Sequence, residues 1–343
     1  MVKYFKILCF LSILSVILGR TPYEYSLSFS GGYDDNAMRF SANELKEAIL
    51  NNALMGGSST FDSYITKFSF SGKKSFILAE DQRFNLKSFY RLSNYGNIPD
   101  KKYWSGGFEA SYKWGSYKLI KYSLRHLDRF YLRHYANKDI GSEQYFSCSF
   151  TDRDQSFTLT QPLLRRWWAN IGGGFLQRYY SRPFTEFDLN ILYLNIKINH
   201  KFKNLGRISL QLKHGFAKNK TDQILLRPSS FNRSYKTYEW YFPIIITSKM
   251  PVFNKLGFSA RIEKRVYDAE DPNDPLHSGR SHLDSKYDFW MEKDIGDFMS
   301  LKLTTRFRNR ITDSQYEWVK DLKSYDQVQY WFTLKWNLIY DKY

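Results

Sequence analysis

Basic side chains recur at alternate positions in several segments of the chain. In the segment 301–311, Arg306, Arg308 and Arg310 alternate with other residues such as Phe307. Successive residues of a β-strand point to opposite faces, so the three guanidinium groups would share one face of a strand. Fixed positive charges lining a confined space raise the local concentration of anions. The chemistry that this pattern predicts is therefore the electrostatic attraction of anionic solutes.

The same alternation places further basic residues on the polar faces of other segments. If the opposite, apolar faces contact lipid, these basic residues point into a shared interior. The predicted interior residues that would set selectivity are Arg125, Arg129, Lys197, Lys213, Arg261, Arg265, Lys302, Arg306, Arg308 and Lys335. Their expected carboxylate partners are Glu239, Glu263, Asp288 and Glu292.

Residues that could catalyse a reaction or bind a metal are few and scattered. His200 and His214 would lie about 20 Å apart on neighbouring strands, too far to share one proton. A polar loop contains His277 and His282, which together with Asp271, Asp274 and Asp284 could bind a cation or a surface sugar, or could simply be solvated. No phosphate-binding loop is present, since the run Gly172, Gly173 and Gly174 lacks the following lysine and hydroxyl residue. We expect no catalytic residue, no metal site and no cofactor.

The elements that position these residues are read most clearly at the end of the chain. Apolar and polar residues alternate there for more than a dozen positions, which is the period of a β-strand. The polar set includes Gln327, Gln329, Thr333 and Lys335. The apolar set, which we predict to face lipid, is Val328, Tyr330, Phe332, Leu334, Trp336, Leu338 and Tyr340.

Strand length separates a membrane barrel from a soluble sandwich, since both architectures alternate. Soluble strands average about five or six residues, whereas strands that cross an outer membrane need about nine to eleven. The alternating segments here reach or exceed that length. A soluble sandwich could also expose the arginines of segment 301–311, but a closed barrel places them in a wet interior and leaves no free sheet edge.

The connections between these segments alternate between short and long, as in outer-membrane barrels. Short connections are expected near residues 72–73, 115, 164–165, 203–206, 251–254 and 296. Longer polar ones are expected at residues 34–60, 94–102, 136–141, 181–185, 219–233, 268–282 and 312–324. This alternation requires segment 142–162 to be one long strand without a turn at residues 151–154. It predicts about fourteen antiparallel strands, within a range of twelve to sixteen.

The first long loop contains a predicted short helix over residues 43–50. This helix could cap or plug the mouth of the barrel, or could be an ordinary loop helix.

The composition and the N-terminus indicate an exported, folded protein. The 343 residues are 19% aromatic and 43% hydrophobic, which is too apolar for a disordered chain, and they carry a net charge of +17. Lys3 and Lys6 precede an apolar run at residues 7–18 that is too short for the usual membrane-spanning helix, although a short anchor is an alternative. We predict a signal peptide over residues 1–19 and one barrel domain over residues 20–343. Removal of the two lysines would leave a net charge of +15, that is 17 minus 2.

These features resemble the bacterial outer-membrane β-barrel class over essentially the whole mature chain, without pointing to a specific porin-like family. The resemblance is carried by the signal peptide, the tyrosine-rich alternating strands and a final strand that ends in an aromatic residue, Tyr343. It implies an outer-membrane location with both termini in the periplasm. The implied partners are outer-membrane lipid and lipopolysaccharide, and the barrel-assembly machinery, which reads the last strand. Asp341 and Lys342 place Tyr343 out of phase with Tyr340, a departure from the usual ending of the class.

Two functions of different classes are consistent with this reading. The first is a passive channel for small, anionic solutes with a basic lumen. The second is a structural or surface-interaction barrel whose lumen is filled and whose extracellular loops bind a partner. An outer-membrane hydrolase has less support because no catalytic constellation is evident, and a nucleic-acid partner is disfavoured because the chain is exported. The sequence leaves the solute and the oligomeric state open.

Overall fold

The computed structural model describes residues 21–137, 144–220, 232–247 and 250–340. The predicted signal peptide, the last three residues and parts of two predicted connections, 136–141 and 219–233, lie outside these described residues.

Fourteen antiparallel strands form a closed barrel in which each strand pairs with its neighbours in sequence and β1 pairs with β14. The strands are β1 (Tyr23–Asp34), β2 (Ser63–Ala79), β3 (Gln82–Tyr95), β4 (Lys102–Lys113), β5 (Leu119–Asn137), β6 (Gln144–Leu164), β7 (Trp167–Tyr180), β8 (Leu189–Phe202), β9 (Gly206–Asn219), β10 (Tyr235–Thr247), β11 (Lys255–Tyr267), β12 (Ser281–Ile295), β13 (Met299–Asp313) and β14 (Tyr325–Tyr340). The structure confirms the predicted all-β, up-and-down antiparallel barrel of about fourteen strands.

The two faces of each strand have opposite character, as the alternation predicts. On β14, Tyr330 and Phe332 expose 55% and 42% of their surface on the outside of the barrel. Gln327 and Gln329 are buried on the inner face, where both donate hydrogen bonds to the carboxylate of Asp34. The apolar set predicted to face lipid lies on the outer face together with Tyr330: Val328, Phe332, Leu334, Trp336, Leu338 and Tyr340.

Short turns join the strands at one end of the barrel, here called the turn end, and longer loops join them at the other, the loop end. Turns occur as predicted around Gly115, after Leu164, between Phe202 and Gly206, and at Gly296. Strand β6 crosses in one piece, as the strand count required. The loops are numbered L1 to L7 from the N-terminus, with L1 at residues 35–62, L2 at 96–101, L6 at 268–280 and L7 at 314–324.

The turn predicted at residues 72–73 is wrong. Gly72 lies inside β2, paired with Tyr25 on one side and Ser88 on the other, and the strand continues to Ala79. The chain reverses instead at residues 80–81. A glycine within a strand often marks a close approach of a neighbouring group, and here the ring of Tyr25 packs against it.

The loops that the structure describes contain three short α-helices and one 3-10 helix, Thr185–Phe187. Helix α1 (Ala42–Ala48) confirms the helix predicted at residues 43–50, and its N-terminus is closed by a capping box between Ser41 and Glu44. Helices α2 (Asn52–Met55) and α3 (Glu317–Lys323) were not predicted. Within the described residues, no helix is long and apolar enough to span a membrane.

Candidate functional site in the barrel interior

Inner-face ion pairs connect β12 and β13. Arg306 donates through Nε to Asp288 at 2.6 Å, and Arg308 binds Asp284 through two hydrogen bonds of 2.8 and 2.6 Å. Arg310 donates to the same Asp284 carboxylate at 2.7 Å. Two guanidinium groups therefore share one carboxylate. The ion pairs between β12 and β13 thus leave an excess of positive charge.

The predicted location of Asp284 and His282 in a polar loop is wrong. Both residues lie on β12. His282 is 4% exposed and its ring Nδ1 lies 2.8 Å from the hydroxyl of Thr312. Because Asp284 already binds two arginines, neither residue is available to the loop site that was considered for a cation or a sugar.

The remaining histidine and aspartate of that loop form a buried pair. Asp274 is 3% exposed, and its carboxylate lies 2.8 Å from Nδ1 of His277. Burial, chiefly, lowers the pKa of His277 to about 4. No group of three or more potential metal ligands occurs among the described residues. Asp274 and His277 are thus shielded from solvent, whereas Glu270 and Asp271 of the same loop are exposed.

Further along the inner face, cations lie against aromatic rings. Lys213 sits 3.9 Å from the ring centroid of Tyr193, and Lys302 sits 4.1 Å from that of Trp290. Arg261 and Lys197 approach the ring of Tyr241 at 5.0 and 5.9 Å. Such contacts attract the cation without neutralising its charge. Arg261 also forms an ion pair of 3.9 Å with Glu239.

Among the other predicted residues, Arg265 is paired with Glu263 at 2.8 Å and Arg125 with Glu109 at 3.3 Å. Lys335 faces the interior and has no ion-pair partner among the described residues.

Arg129 does not join this interior set. It lies at a register shift between β5 and β6, with a positive φ of 44°, and its side chain is 79% exposed. Its backbone N–H donates to the hydroxyl of Thr151, and its guanidinium contacts the adjacent Asp128. A bulge puts an extra residue into one strand and changes the direction of the side chains there. Phe130 takes up the pairing instead, opposite Phe150.

A cavity of about 970 Å³ occupies the interior towards the turn end. Its charged lining comprises five cations and four carboxylates: Lys73, Lys87, Arg91, Arg125 and Lys335, with Glu24, Glu109, Asp152 and Asp154. A second cavity of about 340 Å³ shares Glu24 and Lys73 with the first and is lined by Arg83 and Lys113.

Three further cations of the interior are absent from the set predicted from the sequence. Arg83, Lys87 and Arg91 recur every fourth residue on the inner face of β3, and the structure gives none of them an ion pair within the described ranges. At the rise of a β-strand they are spaced about 13 Å apart. We call these three residues the β3 ladder. Their regular spacing is visible in the sequence. The wrong turn at residues 72–73 gave this strand wrong bounds, since β3 begins at Gln82.

L1 folds back against the barrel at the loop end. Met38 and Phe40 of L1, with Leu54 and Met55 of α2, are buried in a cluster that also contains Trp331 on the inner face of β14. Glu44 of α1 accepts a hydrogen bond of 2.5 Å from Arg133 on β5. L1 thus narrows the mouth of the barrel, which is the plugging role considered for the predicted helix.

Comparison with known proteins adds similarities of fold. No protein-family model matches the chain, and no curated protein matches it either. Similar solved structures include a bacterial polysaccharide outer membrane secretin, at 8% identity with a TM-score of 0.45, covering 92% of this chain and 98% of that one. The outer membrane protein OprD from Pseudomonas aeruginosa is 8% identical with a TM-score of 0.41, covering 94% and 95%. An anion-selective porin from Comamonas acidovorans is 5% identical with a TM-score of 0.41, covering 92% and 98%.

These low identities and TM-scores identify neither a family nor a solute. The resemblance to the bacterial outer-membrane barrel class rests on the chain's own closed barrel of fourteen long strands.

Proposed function

We propose that the protein is an outer-membrane channel for small solutes that prefers anions. The observation that carries the proposal is the interior cavity of about 970 Å³, around which Lys87, Arg91 and Lys335 have no ion-pair partner among the described residues. Unpaired cations in a water-accessible space attract anions, whereas paired ones largely cancel. Arg83, the remaining member of the β3 ladder, extends this positive surface towards the turn end.

The proposal includes the setting of the barrel. The exposed aromatic and aliphatic outer face suits contact with membrane lipid, and a closed sheet leaves no unpaired edge in the bilayer. The short turns, the start of β1 and the end of β14 share one end, which we assign to the periplasm by analogy with barrels of this class. The loop end then faces outward, where it would meet lipopolysaccharide, and β14 would present the signal read by the assembly machinery.

Ion conductance across a planar bilayer tests the proposal. The wild-type barrel should give discrete conductance steps, and its reversal potential in a salt gradient should indicate anion preference. The triple variant Lys87→Gln, Arg91→Gln and Lys335→Gln should lose most of that preference while keeping its conductance steps.

A matched control removes three charges outside the barrel interior. Lys46, Lys118 and Lys203 are exposed in loops or turns, and replacing all three by Gln should leave the reversal potential nearly unchanged. Equal shifts in both triple variants would show that net charge, rather than the lumen, sets selectivity.

A filled, non-conducting barrel is the second candidate, and the packing of L1 at the loop end favours it. Replacing residues 42–55 by a short Gly-Ser linker removes α1 and α2 without altering any strand. If L1 only narrows a pore, conductance should rise roughly two-fold or more. If the folded wild type and this variant are both silent, the channel proposal fails and the filled barrel is supported.

A further inference from the structure

A group of basic residues lies on the outside of the barrel near the loop end. Asp152 and Asp154 of β6 line the interior cavity, so Arg153 between them points outward, and it is exposed. The guanidinium carbon of Arg153 lies 5.5 Å from the ring centroid of Tyr179 on β7. Nζ of Lys220, just after β9, lies 4.1 Å from the same centroid. The two charged groups are therefore no farther apart than these two distances combined.

Two further basic residues border this pair. Arg129, at the bulge in β5, donates its backbone N–H to the hydroxyl of Thr151 at 3.2 Å, and Thr151 is paired with Tyr179. The pairing of β6 to β9 also places four outward polar residues side by side: Arg153, Gln177, Asn190 and Lys218. We call Arg129, Arg153, Lys218 and Lys220 the outer basic cluster.

The positive charge of the outer basic cluster is poorly balanced. Asp128 accepts a hydrogen bond of 3.1 Å from Nε of Arg129. Arg153, Lys218 and Lys220 form no ion pair in the described part of the chain. The contacts with the Tyr179 ring leave the charges of Arg153 and Lys220 intact. An anion arriving from outside would reduce the repulsion between these like charges.

The cluster lies where the apolar outer surface ends. On β8, the outward residues from Leu192 to Phe202 are apolar apart from His200, whose ring packs against Trp167 and Phe202. This stretch is as long as the about nine to eleven residues with which a tilted strand crosses the membrane. The polar row that contains Asn190 begins directly beyond it, towards the loop end.

This depth suits a lipid headgroup. A charged side chain on the lipid face is costly at the bilayer midplane and is tolerated near the interface. Tyrosine is enriched at the same level, where its ring contacts the acyl chains and its hydroxyl meets water. The outer basic cluster is therefore placed to contact the charged part of a lipid rather than its acyl chains.

We propose that the outer basic cluster binds a phosphate group of lipopolysaccharide in the outer leaflet, with Arg153 and Lys220 as the principal donors. A guanidinium group binds phosphate oxygens through charge-assisted hydrogen bonds, and a lysine adds a compact positive charge. Basic side chains at a membrane surface attract anionic headgroups. This inference goes beyond the proposed channel function and rests only on the proposed orientation, in which the loop end faces outward.

Native mass spectrometry of the folded full-length barrel, in an uncharged detergent at low salt, with increasing amounts of purified lipopolysaccharide tests the site. The wild type should retain lipopolysaccharide, and the double variant Arg153→Gln with Lys220→Gln should bind it roughly ten-fold or more weakly. Lipopolysaccharide from which the lipid phosphates have been removed should bind the wild type as weakly as the intact lipid binds the double variant.

The matched control removes two outward cations near the turn end. Lys74 lies on the outer face of β2, against the ring of Tyr23, and Lys293 lies on the outer face of β12. Lys74→Gln with Lys293→Gln should leave the affinity within about two-fold of wild type, because these positions lie far from the outer leaflet. Circular dichroism confirms that each variant is folded.

Unchanged affinity in the folded double variant, equal losses in both double variants, or no retention by the folded wild type would overturn the inference. Phosphatidylglycerol retained as strongly as lipopolysaccharide would overturn the assignment to lipopolysaccharide. The channel proposal is tested separately, since Arg153→Gln with Lys220→Gln should keep the conductance steps of the wild type. A silent wild type that retains lipopolysaccharide would remove the channel and leave the lipid site, whereas a conducting wild type that retains none would do the reverse.

Discussion

The carboxylate of Asp284 balances the positive charges of two arginines on β13. Its carboxylate accepts from Arg308 and Arg310 and is 13% exposed, so its loss would leave two largely buried cations without a partner. We expect Asp284→Asn to lower the free energy of unfolding by roughly 3–5 kcal/mol, the usual cost of removing one partner from a buried ion pair. Denaturant unfolding of the refolded barrel measures this change.

The pair of Glu24 with Lys73 supplies the comparison. Its members are 49% and 39% exposed, and exposed pairs contribute about 0–1 kcal/mol because water and salt screen them. Glu24→Gln should therefore have a much smaller effect. Similar losses in both variants would mean that the Asp284 site is more hydrated than its hydrogen bonds indicate.

Two loop lysines make the charge of the mouth sensitive to pH. Burial lowers the pKa of both Lys101 and Lys323 from 10.5 to about 7. Each lysine is thus mostly neutral above pH 7 and becomes charged as the pH falls through its folded pKa. Because this adds positive charge at the loop end, the permeability ratio of anion to cation should rise between about pH 8 and about pH 6.

Lys101→Met with Lys323→Met should flatten that pH profile. The control is Lys320→Met, because the neighbouring Glu317 raises the pKa of the exposed Lys320, which stays charged over this range. Reversal potentials recorded at several pH values give the ratio. A profile that keeps its slope in the double variant would assign the titration to other groups.

At the scale of the strands, two glycines test where the chain turns. Gly72 lies within β2, where an added Cβ would meet the Tyr25 ring at an ordinary distance of 3.6 Å. Gly206 begins β9 with φ of +137°, and its Cβ would clash with the carbonyl oxygen of Ile245. Gly72→Ala should change stability by less than about 1 kcal/mol, whereas Gly206→Ala should cost at least about 1–3 kcal/mol.

Unfolding of both variants in denaturant gives the comparison directly. A large loss in Gly72→Ala would indicate a turn at residues 72–73, as the sequence first suggested. That outcome would contradict the pairing of β2 with both of its neighbours.

The strands were predictable where both faces carry an unbroken signal. In β13 and β14, apolar residues alternate mainly with basic, amide or hydroxyl residues over more than ten positions, and this pattern indicates which face points inward. In β2, Gly72 lies next to two lysines, and local composition resembles a turn although neighbouring strands pair on both sides. Pairing of this kind is a tertiary effect that a single segment does not encode.

Bulges and loop docking were less accessible to sequence reasoning. The bulge that turns Arg129 away from the interior depends on how β5 meets β6, because simple alternation would place Arg129 inward. The docking of L1 depends on a complementary surface that includes Tyr131 and Trp331, which are distant in sequence. The inward arginines and three of their carboxylate partners, Glu239, Glu263 and Asp288, were therefore predictable. The sharing of Asp284 by two arginines and the contacts that hold L1 were not.

On the scale of the whole molecule, closure of the sheet determines how the charge acts. The chain has 51 basic and 34 acidic residues, and the barrel confines a share of that excess within a narrow interior. L1 and the ion pairs on β12 and β13 occupy the loop end, while the larger cavity and the β3 ladder lie towards the turn end. An anion crossing the barrel would meet the ion-paired arginines of β13 nearer the loop end and the unpaired β3 ladder nearer the turn end.

This arrangement predicts how selectivity depends on salt. Unpaired cations about 13 Å apart act together when the Debye length is about 10 Å, near 0.1 M salt, and act separately when it is about 3 Å, near 1 M. The anion preference of the wild type should therefore fall steeply over this range. The variant that lacks the charges of Lys87, Arg91 and Lys335 should begin lower and change little, because short-range contacts with the remaining paired arginines are screened less. Reversal potentials at a fixed salt ratio and increasing concentration measure this. If the preference does not change with salt, a short-range binding site rather than the field of the β3 ladder controls permeation.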